Sequence, residues 1–182
     1  MRARHHRRSL RLRGYDYASP GAYFVTLSTH DRACLFGDVV GGVMSMNDAG
    51  CIVADECHRT ATIRNGVSMD QYVVMPNHFH GIVALRDGRG TARRAPTVER
   101  FAAPVAGSIP TIIRAFKSAV TKRINDLRGM PGASVWQRGY HEHIIRHEDE
   151  WHRVRRYVEE NPTRWATDIE NPAVRSPAQG DS

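Results

Sequence analysis

The chain has 182 residues, of which 41% are hydrophobic and 25% are charged, and this is the composition of one globular domain with a buried core. Its 26 lysines and arginines outnumber its 19 acidic residues, which gives a formal net charge of +7. That balance favours a polyanionic partner, nucleic acid before a membrane surface, while a basic enzyme without such a partner stays open. The cysteines lack zinc-ribbon spacing and no apolar run could span a membrane, so we expect a soluble, cytoplasmic protein with reduced thiols.

The chain begins with a basic arm. Residues 1–14 contain six arginines and too few apolar residues to fold alone. Such arms bind phosphate backbones without sequence specificity because they release counterions, although the same composition suits a solvated tail. We expect a flexible arm over 1–14, one folded domain over 15–170 and a disordered tail over 171–182.

Hydrophobic patterning predicts the order strand, helix, two strands, helix, strand, helix. The strands are expected at 22–29, 67–75, 78–85 and 134–145, and the helices at 51–63, after Ser108, and at 148–160. Residues 37–50 are expected to form a turn-rich connection, and Pro162 should end the last helix at Asn161. Four strands with the helices on one face predict an α+β, ferredoxin-like sandwich with an antiparallel sheet, and the pattern leaves the strand order open.

Two histidines in the third predicted strand stand out. His78 and His80 are one residue apart, so they share a face while Phe79 points the other way. Two imidazoles in this arrangement could hold one metal ion, and two structural histidines are the alternative. On the last predicted helix, Tyr157 and Asn161 are four residues apart and share a face. A tyrosine that packs on the core is the ordinary interpretation of this position.

Three segments resemble the single-tyrosine HUH transposases: residues 76–80 (PNHFH), 136–140 (WQRGY) and 157–165 (YVEENPTRW). The early residues 14–17 (GYDY) and 20–26 (PGAYFVT) resemble the REP-associated tyrosine transposases within that family. The segments occur in the family's order along most of the chain.

This resemblance implies a ferredoxin-like domain that cleaves and rejoins single-stranded DNA containing hairpin or palindromic repeats, as a monomer or a homodimer. It implies that His78, His80 and Asn161 bind Mg²⁺ or Mn²⁺, and that Tyr157 is the nucleophile. Attack by Tyr157 would leave a 5′-phosphotyrosine link and a free 3′-hydroxyl. Imidazole ligands suit Mn²⁺ better than Mg²⁺, so the choice of ion stays open.

Basic and aromatic residues near these segments are candidate DNA contacts, because cations neutralise phosphates and rings stack on unpaired bases. They are Arg7, Arg8, Arg11, Arg13, Tyr15, Tyr17, Arg114, Lys117, Trp136, Arg138, Tyr140, Arg155 and Arg156. The last two, with Arg153, could also favour the phenolate of the nucleophile.

The sequence leaves two other functions open. The first is a nucleic-acid-binding module that keeps the fold but performs no chemistry. The second is a zinc-dependent hydrolase, for which His141, His143 and His147 offer three imidazoles within a short stretch.

Overall fold

The computed structural model describes residues 15–86 and 105–175. The predicted arm, with Arg7, Arg8, Arg11 and Arg13, lies outside the described residues, as do residues 87–104 and 176–182. In the described ranges, no helix combines the length and the apolar character that a membrane crossing needs.

The elements follow the predicted order, with one additional hairpin. The strands are β1 Gly21–Ser28, β2 Gly37–Val40, β3 Val43–Met46, β4 Val67–Met75, β5 His78–Leu85 and β6 His141–Ile145. The helices are α1 Asp48–Thr62, α2 Ile109–Arg128, α3 Glu148–Arg164 and the single turn α4 Pro172–Arg175. Short 3₁₀ turns lie at His30–Arg32 and Trp165–Thr167.

Four of the six strands form one antiparallel sheet, in the order β4-β5-β1-β6. Strands β1 and β4, which α1 connects, are separated by β5. Strands β5 and β6, which α2 connects, are separated by β1. This interleaving of two βαβ units is the ferredoxin-like arrangement. The predicted fold class is confirmed.

Helices α1 and α2 cover one face of the sheet. Tyr23, Val25 and Leu27 of β1 and Phe79 of β5 are at most 1% exposed and belong to the core on this face. The ring of Phe79 lies 5.4 Å from that of Phe116 in α2, measured between centroids. The sheet and these two helices form the two-layer sandwich that the patterning predicts.

Helix α3 lies across the opposite face, which carries the even-numbered residues of β5. The indole Nε1 of Trp151 donates a hydrogen bond to the carboxylate of Asp70 in β4 at 2.8 Å. One and a half turns further on, the ring of Tyr157 contacts Phe24 of β1 edge-on at 5.9 Å. Helix α3 therefore adds a layer on the face that bears the histidines.

The connection over residues 37–50 contains a β-hairpin that the sequence prediction missed. Gly41 and Gly42 have φ angles of 59° and 77°, which suit the tight two-residue turn between β2 and β3. Val40 and Val43 beside the turn are 70% and 69% exposed. The hairpin therefore lacks the alternation of buried and exposed residues by which strands are recognised.

The fourth strand of the sheet is shorter than the predicted range 134–145. Only His141–Ile145 pairs continuously with β1, because Gly139 has a φ of 77° that interrupts the extended backbone. Before that break, Trp136 forms an isolated bridge with Thr29, and the Gln137 amide donates to the Ser28 carbonyl at 2.9 Å.

The prediction that α3 ends at Asn161 is wrong, since the helix continues through Pro162 to Arg164. Proline inside a helix removes one backbone hydrogen bond and crowds the preceding turn, a loss of about 3 kcal/mol. The additional turn brings Trp165 to 9% exposure, and burying a ring of that size stabilises by more than this loss.

The predicted disordered tail is wrong for residues 172–175. These residues form α4, and the side chain of Asn171 stabilises its start. The Asn171 Oδ1 accepts a hydrogen bond from the Ala173 amide at 3.0 Å, while its Nδ2 donates to the Trp165 carbonyl at 2.9 Å.

Candidate active site

His78 and His80 lie on the central strand β5, under α3. Their ring centroids are 4.6 Å apart, and the residues are only 1% and 5% exposed. A central strand restrains its side chains better than a loop would, so these two imidazoles are held in a defined geometry. Each ring is further oriented by a hydrogen bond at Nδ1.

Asn77 orients His78. The Nδ2 group of Asn77 donates to the backbone carbonyls of Arg32 at 3.1 Å and of Glu170 at 2.7 Å, which sets the orientation of the amide. Its Oδ1 therefore faces the Nδ1 of His78 at 2.9 Å. Because an amide oxygen only accepts, the His78 proton lies on Nδ1 and the Nε2 atom presents a lone pair.

The Nε2 lone pair of His78 points at the amide of Asn161 in α3. The distance from Nε2 to Asn161 Oδ1 is 3.3 Å, and both residues are 1% exposed. Burial lowers the pKa of His78 to about 4, against a smaller opposing effect of Asn161, so the ring is neutral at pH 7. Two acceptors thus converge in a buried position, an arrangement that a cation between them would stabilise.

His80 is oriented in the same way, by Thr26 of β1. The Thr26 hydroxyl lies 2.8 Å from Nδ1 of His80, and the Nε2 atom lies 3.5 Å from the hydroxyl of Tyr157. The pKa of His80 is held well below its ordinary value, mainly by burial and to a smaller extent by the neighbouring His78 and His141. Both imidazoles are therefore neutral and direct Nε2 towards α3.

Tyr157 is the most accessible member of this group, at 40% exposure. Burial of part of the ring and the negative charge of Asp168 raise its pKa, while a hydrogen bond with Asn161 and the charge of Arg164 act in the opposite direction. The sequence prediction placed Arg153, Arg155 or Arg156 in this role. The charge of Arg164, on the turn beyond Pro162, acts on Tyr157 in this sense.

The donor set fits a divalent ion that accepts mixed nitrogen and oxygen ligands. It consists of two imidazole Nε2 atoms and the amide oxygen of Asn161. In the described part of the chain, no group of three or more His, Cys, Asp and Glu side chains could hold a metal ion. A tightly held zinc ion would need such a group, whereas an exchangeable Mn²⁺ does not.

The histidines of β6 do not form the alternative zinc site. The Nε2 of His143 lies 2.7 Å from a carboxylate oxygen of Glu150, and the Nδ1 of His147 accepts a hydrogen bond from the Glu150 amide at 3.3 Å. These contacts stabilise the start of α3. His141 is exposed and lies on the same face as His80.

The structure contradicts three of the predicted DNA contacts. Tyr17 and Trp136 are 4% and 7% exposed and belong to the core, so a base could not stack on them. The Lys117 ammonium group donates to the carbonyls of Gln137 at 2.7 Å and Gly139 at 2.9 Å, and burial lowers its pKa. Lys117 thus holds the loop before β6 against α2.

The other candidates in the described ranges differ in accessibility. Arg114, Arg138 and Arg156 are exposed, whereas Tyr15 and Tyr140 are partly buried against the core. Arg155 forms an ion pair with Asp70, with 3.4 Å between its Nε and a carboxylate oxygen. Its guanidinium carbon also lies over the Trp151 ring, 5.4 Å from the centroid.

Sequence reasoning missed several residues that shape the site. Asn77 and Thr26 orient the histidines, and Phe24 stacks on His80 at 5.4 Å. All three lie within the segments that carry the family resemblance, and the alternation of β1 places Phe24 and Thr26 on one face. Glu170, by contrast, reaches Asn77 from a segment with no recognisable pattern.

Comparison with solved structures identifies the fold. A REP-associated tyrosine transposase bound to a REP hairpin matches with a TM-score of 0.56 and 18% identity, over 86% of this chain and 74% of that one. A second match, to a transposase-like protein of Deinococcus radiodurans, has a TM-score of 0.45 and 18% identity over 83% and 96% of the two chains. The first of these matches shows that the fold is one found in a tyrosine transposase.

Sequence comparison assigns the chain to a family. An uncharacterized protein of Haemophilus influenzae is 35% identical over 168 residues, which span 90% of this chain and 92% of the relative. The chain belongs to the same family as this protein. No protein-family model matches the sequence.

Proposed function

We propose that this protein is a transposase that cleaves and rejoins single-stranded DNA through a 5′-phosphotyrosine intermediate on Tyr157. The observation that carries the proposal is the position of the Tyr157 hydroxyl, 3.5 Å from Nε2 of His80 and on the same helix face as Asn161. A half-exposed tyrosine hydroxyl thus lies beside a buried set of neutral side chains that could bind a metal ion. The transposase neighbour with a bound hairpin supports the same substrate class.

The chemistry is a transesterification that conserves the phosphodiester bond. The phenolic oxygen of Tyr157 bonds to phosphorus, the bond from phosphorus to the 3′-oxygen breaks, and the strand leaves with a 3′-hydroxyl that takes up the proton. Attack by a second 3′-hydroxyl on the phosphotyrosine reverses these steps. Joining therefore needs no nucleotide cofactor.

His78, His80 and Asn161 would hold Mg²⁺ or Mn²⁺, with Mn²⁺ the better match to imidazole ligands. When bound, such an ion polarises the scissile phosphate as a Lewis acid. The role of the chain is to hold both imidazoles neutral, with Nε2 directed at the site. Burial keeps the two imidazoles neutral, and Asn77 and Thr26 orient them through their hydrogen bonds to the two Nδ1 atoms.

His80 is not an effective general base for Tyr157, despite its proximity. The pKa of His80 is held well below its ordinary value and that of Tyr157 is raised above its own, so transfer of the proton to His80 is unfavourable. Even the ordinary pKa values, about 6.5 for histidine and about 10 for tyrosine, make this transfer unfavourable. The neutral His80 is better suited to donate its lone pair as a ligand.

The test is formation of a covalent protein–DNA adduct. Labelled single-stranded hairpin DNA and Mn²⁺ are incubated with the protein, and the adduct is followed on denaturing gels. We expect an adduct with the native protein and none with Tyr157→Phe. Tyr72→Phe is the matched control, since the Tyr72 hydroxyl bonds His58 on the other side of the sheet, at 2.8 Å.

An adduct that persists in Tyr157→Phe would refute the assignment of the nucleophile. DNA binding without any adduct in the native protein would instead favour a binding module that performs no chemistry.

A further inference from the structure

Exposure increases across the sheet face that bears the histidines. The strand register places His80 of β5, Thr26 of β1 and His141 of β6 in one row across three neighbouring strands. His80 is 5% exposed, Thr26 is half-buried and His141 is exposed. Helix α3 therefore covers the β4–β5 half of this face and leaves the β1–β6 half open.

The contacts of α3 explain this asymmetry. Its first half is held over β4 by the bond from Trp151 to Asp70, and its second half places Asn161 over His78 of β5. Tyr157 lies at the border of the covered half, where its ring contacts Phe24 of β1. The open half, which we define by Phe24, Thr26, Ser28 and His141, adjoins Tyr157 through this contact.

His141 differs from the other histidine of β6 that shares this face. The ring of His143 is engaged by Glu150 at 2.7 Å. His141 has no such partner among the described residues, and it lies near enough to His80 to contribute to the lowered pKa of that residue. Its Cα atom is two strand spacings, about 10 Å, from that of His80. The Nε2 atom of His80 in turn lies 3.5 Å from the Tyr157 hydroxyl.

We infer that His141 binds a phosphate of the single strand next to the scissile one, as the strand lies on the open half of the sheet face. An imidazole N–H is a suitable donor to a phosphate oxygen. The inference rests on the proposed function, because it names the residue that positions the DNA for Tyr157. Of the three residues in the row, His141 is the most exposed, whereas the Thr26 hydroxyl is engaged with Nδ1 of His80.

The experiment measures DNA affinity and adduct formation in the full-length protein with His141→Ala and His141→Gln. His152→Ala is the matched control, since His152 is an exposed histidine of α3 whose contact, at 3.7 Å, is with Glu148 of the same helix. Affinity for a fluorescent hairpin strand is measured by anisotropy, and the adduct rate by single-turnover quenching with Mn²⁺. Mn²⁺ affinity is measured separately.

We expect His141→Ala to slow adduct formation at least about tenfold, the effect of losing one hydrogen bond to a charged group. Mn²⁺ affinity should stay unchanged, and His141→Gln should recover most of the rate because its amide keeps a donor. His152→Ala should match the native protein. A structural role for His141 would instead lower thermal stability and impair both substitutions equally.

Two outcomes would overturn the inference, and they differ from failure of the proposed function. If the native protein forms the adduct and His141→Ala forms it at the same rate, the transposase assignment stands and the role of His141 does not. If the native protein binds the strand but forms no adduct, the proposed function fails. The anisotropy measurement then decides on His141 alone, since unchanged affinity in His141→Ala would refute the contact.

Discussion

The Nε2 atom of His78 lies 3.3 Å from Oδ1 of Asn161, although both atoms are hydrogen-bond acceptors. The orientation of the Asn77 amide places the His78 proton on Nδ1, so no hydrogen stands between the two acceptors. Strand β5 and helix α3 therefore meet at a point of unfavourable electrostatics. A bound cation would convert this repulsion into two favourable contacts.

The first prediction follows from this geometry. Saturation with Mn²⁺ should stabilise the native protein by roughly 2–3 kcal/mol at about a hundred times the dissociation constant, which is a shift of several degrees in Tm. The shift should vanish in His78→Ala, and Asn161→Asp should enlarge it because a carboxylate binds the ion more tightly than an amide. Differential scanning fluorimetry with and without Mn²⁺ measures it. An equal shift in native protein and His78→Ala would contradict the site.

The second prediction concerns Asn77, which contacts the proposed metal ligand but not the metal. Loss of a hydrogen bond that orients a metal-binding histidine costs roughly 10–100-fold in affinity, so Asn77→Ala should weaken Mn²⁺ binding to that extent. Asn77→Asp should retain more affinity because a carboxylate still accepts from Nδ1 of His78. Isothermal titration calorimetry distinguishes the two variants.

The same pair of variants separates two roles of Asn77. Both variants lose the donors to the carbonyls of Arg32 and Glu170, so hydrogen exchange over residues 165–171 should accelerate in both. Equal Mn²⁺ affinity in Asn77→Asp and Asn77→Ala would show that the tautomer of His78 is not set by this residue.

The third prediction is a pH dependence of stability in metal-free protein. The pKa of His78 is about 4 in the folded state, below the value of about 6.5 expected when unfolded. Between these values the unfolded state binds more protons, so stability falls as the pH falls from about 6.5 to about 4, by up to roughly 3 kcal/mol. His80, whose pKa is also lowered, acts in the same direction.

Urea unfolding in EDTA at a series of pH values measures this slope. The slope should be smaller in His78→Leu, because the residue that titrates differently in the two states is removed. A slope that is unchanged in His78→Leu would contradict the prediction.

The fourth prediction separates a structural lysine from a surface arginine on α2. The ammonium group of Lys117 donates to two backbone carbonyls in the loop before β6, whereas Arg114 is exposed. Lys117→Met should destabilise the protein by about 1.5–3 kcal/mol, the usual effect of losing hydrogen bonds from a charged donor. Arg114→Met removes the same charge and should change stability by less than about 0.5 kcal/mol. Equal destabilisation in chemical unfolding would contradict the distinction.

The sequence by itself determined the parts of this protein that depend on local periodicity. Strands β4 and β5 begin and end where the two apolar runs around Pro76 and Asn77 predict them. The shared face of His78 and His80 follows from the pleat of a strand. The pairing of Tyr157 with Asn161 follows from the helical repeat in the same way. These features need no knowledge of distant residues.

Only the tertiary structure decided which residues meet. Glu170 lies 93 positions from Asn77, and its carbonyl takes part in setting the Asn77 amide that orients His78. Burial of Tyr17 and Trp136, and the engagement of Lys117 by a loop, likewise depend on contacts across the fold. Periodicity cannot encode such contacts, because they depend on how separate elements pack. The proton position on His78, and with it the suitability of His78 and Asn161 for a cation, is therefore a property of the fold.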